Sequence, residues 1–82
     1  MVTGFRLIVL AKMEELEKSS LVRLVTPMQL AKALGKKPGN VRMLLIRLMR
    51  AGLVERPYHG GYRLTKRGRK VIMEARPDER RN

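Results

Sequence analysis

Apolar positions near the start of the chain recur at helical spacing and predict a first helix over residues 4–18. The residues predicted to face the core are Phe5, Ile8, Val9 and Leu16. Glu17 and its charged neighbours are predicted to lie in solvent at the end of this helix. The next stretch, residues 21–25, is short and β-branched, and it is predicted to be either a brief strand or an extended linker.

A helix-turn-helix pattern follows, because two helix-start signals are separated by a short turn that contains glycine. Thr26 is the predicted N-cap of the second helix, with Pro27 at the first helical position and Gln29 closing a capping box. Gly35 is predicted to end that helix in the left-handed conformation. A third helix is predicted over about residues 38–51. Its predicted core residues are Val41, Leu44, Leu45 and Leu48.

After the third helix the period of the apolar positions changes from about 3.6 residues to about 2 residues, which predicts strands. The strands are expected over residues 53–56 and 62–65, with a tight reversal at residues 58–61 that contains two glycines. Pro57 is expected to end the first strand, where its missing N–H costs least. The pattern therefore predicts a β-hairpin.

A short helix closes the predicted fold. Thr65 is expected to cap it, and it extends over residues 66–75. Residues 76–82 have no apolar side chain beyond a proline and are predicted to form a disordered basic tail. The sequence thus predicts one domain over residues 1–75, in a fold that is mostly α with a small β-hairpin.

The charge of the chain points to a polyanionic partner. The 82 residues include 19 Lys and Arg against 7 Asp and Glu, which gives a net charge of +12. Glu55 is the only acidic residue between residues 18 and 73. A basic domain of this kind is typical of proteins that bind nucleic acid, with anionic membranes and acidic proteins as the alternatives.

Composition also argues against several classes of function. The chain has no cysteine, and His59 is its only histidine, so a disulfide, a zinc site and a histidine-based catalytic dyad are not expected. We therefore predict a protein that is not an enzyme and needs no cofactor or metal. The longest apolar run, residues 7–11, is far shorter than a membrane span. A cytoplasmic protein without a membrane partner is the corresponding expectation.

Three segments carry a resemblance to a known family: residues 29–35 (QLAKALG), 51–56 (AGLVER) and 60–69 (GGYRLTKRGR). Together with Pro38 and the apolar positions of the third helix, they resemble the winged helix-turn-helix domain of MarR/PadR-like bacterial and archaeal regulators. The resemblance implies a three-helix bundle with a two-stranded wing and a short C-terminal helix. In one respect the sequence departs from the family pattern, because Lys37 stands where a Ser or Thr is usual.

The resemblance implies binding to double-stranded DNA, with the third helix in the major groove and the wing on flanking phosphate or the minor groove. Asn40 would then pair with adenine, and Arg42 and Arg47 with guanine, while Gly39 allows the backbone to approach. The alternatives to base contact are that Asn40 has only a structural role at the helix start and that the arginines are simply solvated. The complete predicted DNA-binding set is Thr26, Gln29, Lys36, Lys37, Gly39, Asn40, Arg42, Met43, Arg47, Arg56, His59 and Arg63.

Two groups of residues leave the prediction open. Met43 and Ile46 form an apolar strip that either contacts thymine methyl groups or belongs to the core, with the helical phase misassigned by one position. We favour the second interpretation. Four cations of the last helix signal a more extensive basic surface if they lie on the back of the domain: Lys66, Arg67, Arg69 and Lys70.

Three functions compete on this basis: a nucleoid-associated transcriptional regulator, an architectural or RNA-associated protein without sequence specificity, and a protein-interaction module. A homodimer built on the first helix is expected, because a small core leaves apolar residues of that helix in solvent. Some members of the following set are expected to face solvent in a monomer: Phe5, Leu7, Val9, Leu10 and Met13. A two-fold dimer predicts a DNA site that is an inverted repeat.

Overall fold

The computed structural model of the protein describes residues 4–75, which form four helices and one two-stranded antiparallel hairpin. The elements in chain order are α1 (Gly4–Ser19), α2 (Pro27–Leu34), α3 (Pro38–Arg50), β1 (Val54–Tyr58), β2 (Gly61–Leu64) and α4 (Lys66–Glu74). This mostly helical, winged-helix-like arrangement confirms the predicted fold class. The predicted basic tail, residues 76–82, lies outside the described residues.

Local signals fix both ends of α2, as the sequence predicts. The Thr26 side-chain oxygen accepts a hydrogen bond from the backbone N–H of Gln29 at 3.1 Å, and the Gln29 side chain accepts one from the backbone N–H of Thr26 at 3.0 Å. These two bonds are the capping box. Gly35 ends the helix with a φ of 68°, which glycine adopts at little cost. The chain therefore turns within residues 35–37, and α2 packs directly against α3.

The hydrophobic core receives residues from every element. Its buried members are Val9, Leu10, Met13, Val25, Leu30, Ala31, Val41, Leu45, Leu48, Leu53, Val54, Tyr62, Leu64 and Ile72. The predicted core face of α3 is confirmed, because Val41, Leu45 and Leu48 are buried and Leu44 packs against their edge. The sequence therefore predicts correctly which face of α3 packs against the core.

The predicted core face of α1 is partly wrong. Two of its predicted members are at least partly buried, Val9 and Leu16. Phe5 and Ile8, however, are 43% and 56% exposed, and Leu10 and Met13 take their places in the core. The physical reason is the unbroken apolar run of residues 7–11, which leaves the rotation of the helix undetermined by spacing alone.

Glu17 is the clearest correction to the sequence prediction, because its side chain is buried and not solvated. Its Oε2 accepts a hydrogen bond of 2.7 Å from the backbone N–H of Leu64, and its Oε1 pairs with the guanidinium of Arg69. The position follows from helix geometry, since Glu17 lies one turn beyond the buried Met13 on the same face. One carboxylate thus joins α1 to both β2 and α4.

The hairpin contains an irregularity that the sequence prediction did not place. The pairing register shifts between Glu55 and Tyr58, and Pro57 lies inside this interval. Pro57 therefore does not end the first strand, and β1 continues to Tyr58. A register irregularity tolerates proline because the residues within it donate no regular ladder hydrogen bond.

The segment after α1 is neither the brief strand nor the extended linker that the sequence predicted, because the chain turns there and Arg23 adopts a positive φ of 58°. Residues 20–23 form a turn, and Val25 then makes a single bridge to Tyr62 of β2. Two backbone hydrogen bonds of 2.8 Å join these two residues. The bridge extends the small sheet on the side of β2 and anchors the chain just before α2 begins.

Close packing of α4 depends on Gly68. The Thr65 side chain caps α4 by accepting a hydrogen bond of 3.1 Å from the Gly68 N–H, and it donates one of 2.7 Å to the carbonyl of Gly52. A Cβ atom on Gly68 would lie only 2.2 Å from the carbonyl oxygen of Leu53. No side chain fits there unless the backbone moves.

We expect Gly68→Ala to lower the free energy of unfolding by about 2 kcal/mol or more, because the added methyl group overlaps backbone atoms. Gly39→Ala is the matched control. Gly39 also lies inside a helix, but a Cβ there meets nothing within 4 Å, so stability stays equal or rises by less than about 1 kcal/mol. Urea unfolding followed by circular dichroism measures both, and equal effects would contradict the packing at Gly68.

Candidate nucleic-acid interface

One face of α3 is not covered by the core. At about 100° per residue, Met43 and Arg50 point directly away from the buried positions of the helix. Asn40 and Arg47 lie to one side of them, and Arg42 lies to the other; all five residues are exposed. Residues 40, 43, 47 and 50 therefore form a stripe along the helix, which we call the α3 stripe.

The cations around this stripe form no ion pair with any acidic side chain that the structure describes. Within residues 4–75 the ion pairs are Lys12–Glu15, Arg63–Glu55 and Arg69–Glu17. None of them involves α3 or the turn before it, which leaves Lys37, Arg42, Arg47 and Arg50 with their full charge directed to solvent. An unpaired cationic face of this kind attracts polyanions and raises their rate of encounter.

The start of α3 offers backbone donors beside these cations. Lys37 is the N-cap and makes no side-chain capping hydrogen bond, as expected from the lysine at this position. The backbone N–H groups of Gly39 and Asn40 have no intrahelical acceptor, because they belong to the first turn. Donors at a helix start bind anions such as phosphate.

The two polar residues of the α2 cap retain hydrogen-bonding capacity. Thr26 and Gln29 use their side-chain oxygens as acceptors within the capping box. The Thr26 hydroxyl and the Gln29 amide NH₂ still have protons to donate. Both residues are exposed, so they can cap the helix and contact a phosphate oxygen at the same time.

The first helix contributes to this region through Phe5. A hollow of about 350 Å³ between α1 and α3 is lined by Phe5, Lys36, Asn40, Met43, Leu44 and Arg47. The ammonium nitrogen of Lys36 lies 5.0 Å from the centre of the Phe5 ring, which is a cation–π distance. The hollow therefore has an apolar lining and a rim that carries two cations and one amide.

The wing supplies a second set of predicted residues on a separate element. Arg56 and His59 are exposed on β1 and on the turn. Arg63 differs from them, because its guanidinium pairs with Glu55 directly across the hairpin. None of these three side chains lines the hollow, so the structure joins the predicted residues of α3 to Phe5 but not to the wing.

The favoured interpretation of the apolar strip on α3 is wrong for Met43. Its side chain is 53% exposed, although the core residues of α3 were assigned in the correct phase. Ile46 is partly buried, and Met49 packs against the edge of the core. Met43 is therefore an exposed apolar residue in the middle of the α3 stripe.

The apolar strip on α1 that was predicted to mediate a homodimer is narrower than expected. Val9, Leu10 and Met13 are core residues, and Leu7 is partly buried, so only Phe5 of the original five is exposed. The reason is again the rotation of α1. The homodimer itself stays a prediction.

Sequence reasoning missed one residue of the candidate interface. The helical spacing of α3 already predicts that Arg50 faces outward, because it lies seven residues after Met43 on the same face. Phe5 was assigned to the core, and no local pattern relates it to α3. Its place beside Met43 depends on how α1 packs in three dimensions.

The cations of α4 lie on a different part of the molecule. Lys66, Arg67 and Lys70 are exposed, whereas Arg69 pairs with the buried Glu17. The packing of α4 is mainly on α1 and β2, while α2 and α3 pack on each other. The basic surface of the molecule therefore extends beyond the α3 stripe.

No protein-family model matches the chain, and no curated protein sequence matches it. Within residues 4–75, no helix is both long and apolar enough to cross a membrane. The same residues contain no group of three or more His, Cys, Asp or Glu side chains that could hold a metal ion.

Breaking the Glu55–Arg63 pair tests the role of the wing. We expect Glu55→Ala to raise the affinity for duplex DNA about two- to fivefold at low salt, because it removes a negative charge and releases the Arg63 guanidinium. The gain shrinks as salt increases. Glu15→Ala, which removes an equal charge from α1, is the control and leaves the affinity nearly unchanged. Fluorescence anisotropy measures both variants, and an unaltered affinity for Glu55→Ala would show that Arg63 does not face the nucleic acid.

Proposed function

We propose that the protein is a DNA-binding winged-helix protein that regulates transcription. In this proposal α3 enters the major groove, and the hairpin wing contacts the flanking backbone or the minor groove. The single observation that carries the proposal is the α3 stripe. It is an exposed helix face, held in a helix-turn-helix, and its cations form no ion pair with the acidic side chains of residues 4–75. The resemblance to MarR/PadR-like regulators supports the same hypothesis.

The residues of α3 divide into base readers and backbone contacts. Asn40 and Arg47 lie on the same side of the stripe, about two helical turns apart. There an amide recognises adenine and a guanidinium recognises guanine. Arg42 was predicted to pair with guanine, but it is about 140° away from Arg47 around the helix. We therefore assign it to the phosphates on the opposite wall of the groove. Lys37 and the free N–H of Gly39 bind phosphate at the start of the helix.

The remaining predicted residues position the domain on the duplex. Thr26, Gln29 and Lys36 contact phosphates on one side of α3, and they carry no sequence information. Arg56 and His59 of the wing reach the neighbouring backbone or the minor groove, whose negative potential attracts arginine. Arg63 joins them when its pairing with Glu55 loosens. Association with the nucleoid follows from this function.

The exposed cations of α4 favour a second candidate function. Lys66, Arg67 and Lys70 belong to no ion pair within the described part of the chain. A protein that binds nucleic acid without sequence preference uses basic surface of this kind over several faces, through phosphate contacts alone. In that case α3 and α4 contribute equally to binding.

A homodimer through α1 is part of the first proposal. Ile8 is an exposed large apolar residue of that helix and does not line the hollow. A two-fold pair of winged helices binds an inverted repeat with centres separated by about one helical turn of DNA or a multiple of it. The length and symmetry of a selected DNA site therefore report on this interface.

Salt dependence and matched variants distinguish the two candidate functions. The duplex is selected from random sequence by the protein itself, and its affinity is measured by anisotropy at several salt concentrations. About five neutralised phosphates give a log–log slope near −4.5. Arg47→Ala costs about 1–3 kcal/mol on the selected duplex and relaxes the preference at one base position. Lys37→Ala weakens all duplexes alike.

Lys70→Ala is the control, since it removes one exposed cation from α4. The regulator proposal expects this variant to bind the selected duplex almost as the unaltered protein does. Equal losses for Arg47→Ala and Lys70→Ala, with no change in base preference, would favour the second candidate. A salt slope near zero would contradict both.

A further inference from the structure

The hollow between α1 and α3 combines features that belong to a binding site. Phe5, Met43 and Leu44 supply apolar surface, and Lys36, Asn40 and Arg47 surround it with polar groups. Phe5 and Met43 keep 43% and 53% of their surface in solvent. Such an apolar cluster in the middle of a cationic face is exposed to water. The free energy falls when another apolar group covers it.

The positive charge of the residues that line this hollow indicates which class of molecule binds there. The residues that line it include two cations and no acid. A second copy of this chain would place the same cations opposite them near a two-fold axis, and the chain already carries a net charge of +12. The favoured occupant therefore brings negative charge around a small apolar group.

The major groove of DNA has that chemistry. Phosphates line its two walls, and each thymine projects a C5-methyl group from the groove floor. Side chains next to the hollow match the surrounding polar groups of the DNA. Arg47 fits the N7 and O6 acceptors of a guanine, Asn40 fits the N7 acceptor and N6 donor of an adenine, and Lys36 fits a phosphate. The hollow is larger than a methyl group, so it also admits the base edge that carries the methyl.

We propose that the Phe5–Met43 hollow reads the 5-methyl group of a thymine, which makes Met43 and Phe5 specificity-determining residues. The inference rests on the proposed DNA-binding function and extends it to α1, which supplies one wall of the base-reading surface. Met43 points directly away from the core side of α3, and Phe5 of α1 lines the same hollow. Lys36 holds the Phe5 ring by its cation–π contact at 5.0 Å.

Replacing thymine by uracil tests this inference, because uracil lacks only the methyl group and keeps the same hydrogen-bonding edge. On the duplex selected by the full chain, each thymine is replaced in turn. We expect one replacement per bound domain to weaken binding about three- to fivefold, which matches the burial of one methyl group. Met43→Ala removes this discrimination by binding thymine and uracil duplexes equally, whereas Met43→Leu retains it.

Met73→Ala is the matched control, because Met73 is a 60% exposed methionine on α4. This variant keeps the full thymine preference. Retained duplex binding with no thymine preference at any position would overturn the inference and leave the proposed function standing. A chain that selects no duplex at all would overturn both.

Two further outcomes also overturn the assignment. A helical Glu- and Leu-rich peptide that binds more tightly than the duplex, and loses this binding in Met43→Ala, would assign the hollow to an acidic protein partner. Sedimentation equilibrium that shows a dimer dissociated by Met43→Ala would assign it to a second copy of the chain. Circular dichroism confirms that each variant remains folded.

Discussion

The arrangement of the whole molecule depends on the buried carboxylate of Glu17. Among the described residues it is the one charged side chain inside the core, and both of its oxygens are bonded. Removing either partner would leave a buried charge or a buried N–H unsatisfied, so the α1, β2 and α4 elements are held in one orientation. This contact fixes the rotation of α1. With Glu17 and Met13 turned inward, Phe5 is left at the edge of the helix that faces α3.

The small number of acidic residues also determines the charge of the surface. Glu17 and Glu55 each pair with an arginine, and the remaining described acids are concentrated in the second half of α1 and at the end of α4. The helix-turn-helix receives none. Its exposed charges are therefore all positive, and the core beneath them holds the backbone of α3 in place. Such a helix suits the proposed binding to a groove, because little backbone order has to be gained on binding.

Much of this structure follows from local sequence signals. The capping box at Thr26, the left-handed Gly35 and the apolar spacing of α3 are all visible in the sequence, and they place the helix-turn-helix and most of the α3 stripe. Properties that depend on packing are not visible. The rotation of α1, the burial of Glu17 and the approach of Phe5 to Met43 each result from contacts between segments distant in sequence. The site is therefore predictable where it lies on one helix, and unpredictable where two helices form it.

The proposed binding surface lies on α3, Phe5 and the wing, and not on α4. Backbone amide shifts, recorded by NMR while a selected duplex is titrated into the isotope-labelled full chain, test this placement directly. The account predicts large changes at Asn40, Met43 and Arg47, together with Phe5 and the wing, and small changes over residues 66–74. Changes confined to α4, or spread evenly over both helices, would contradict it.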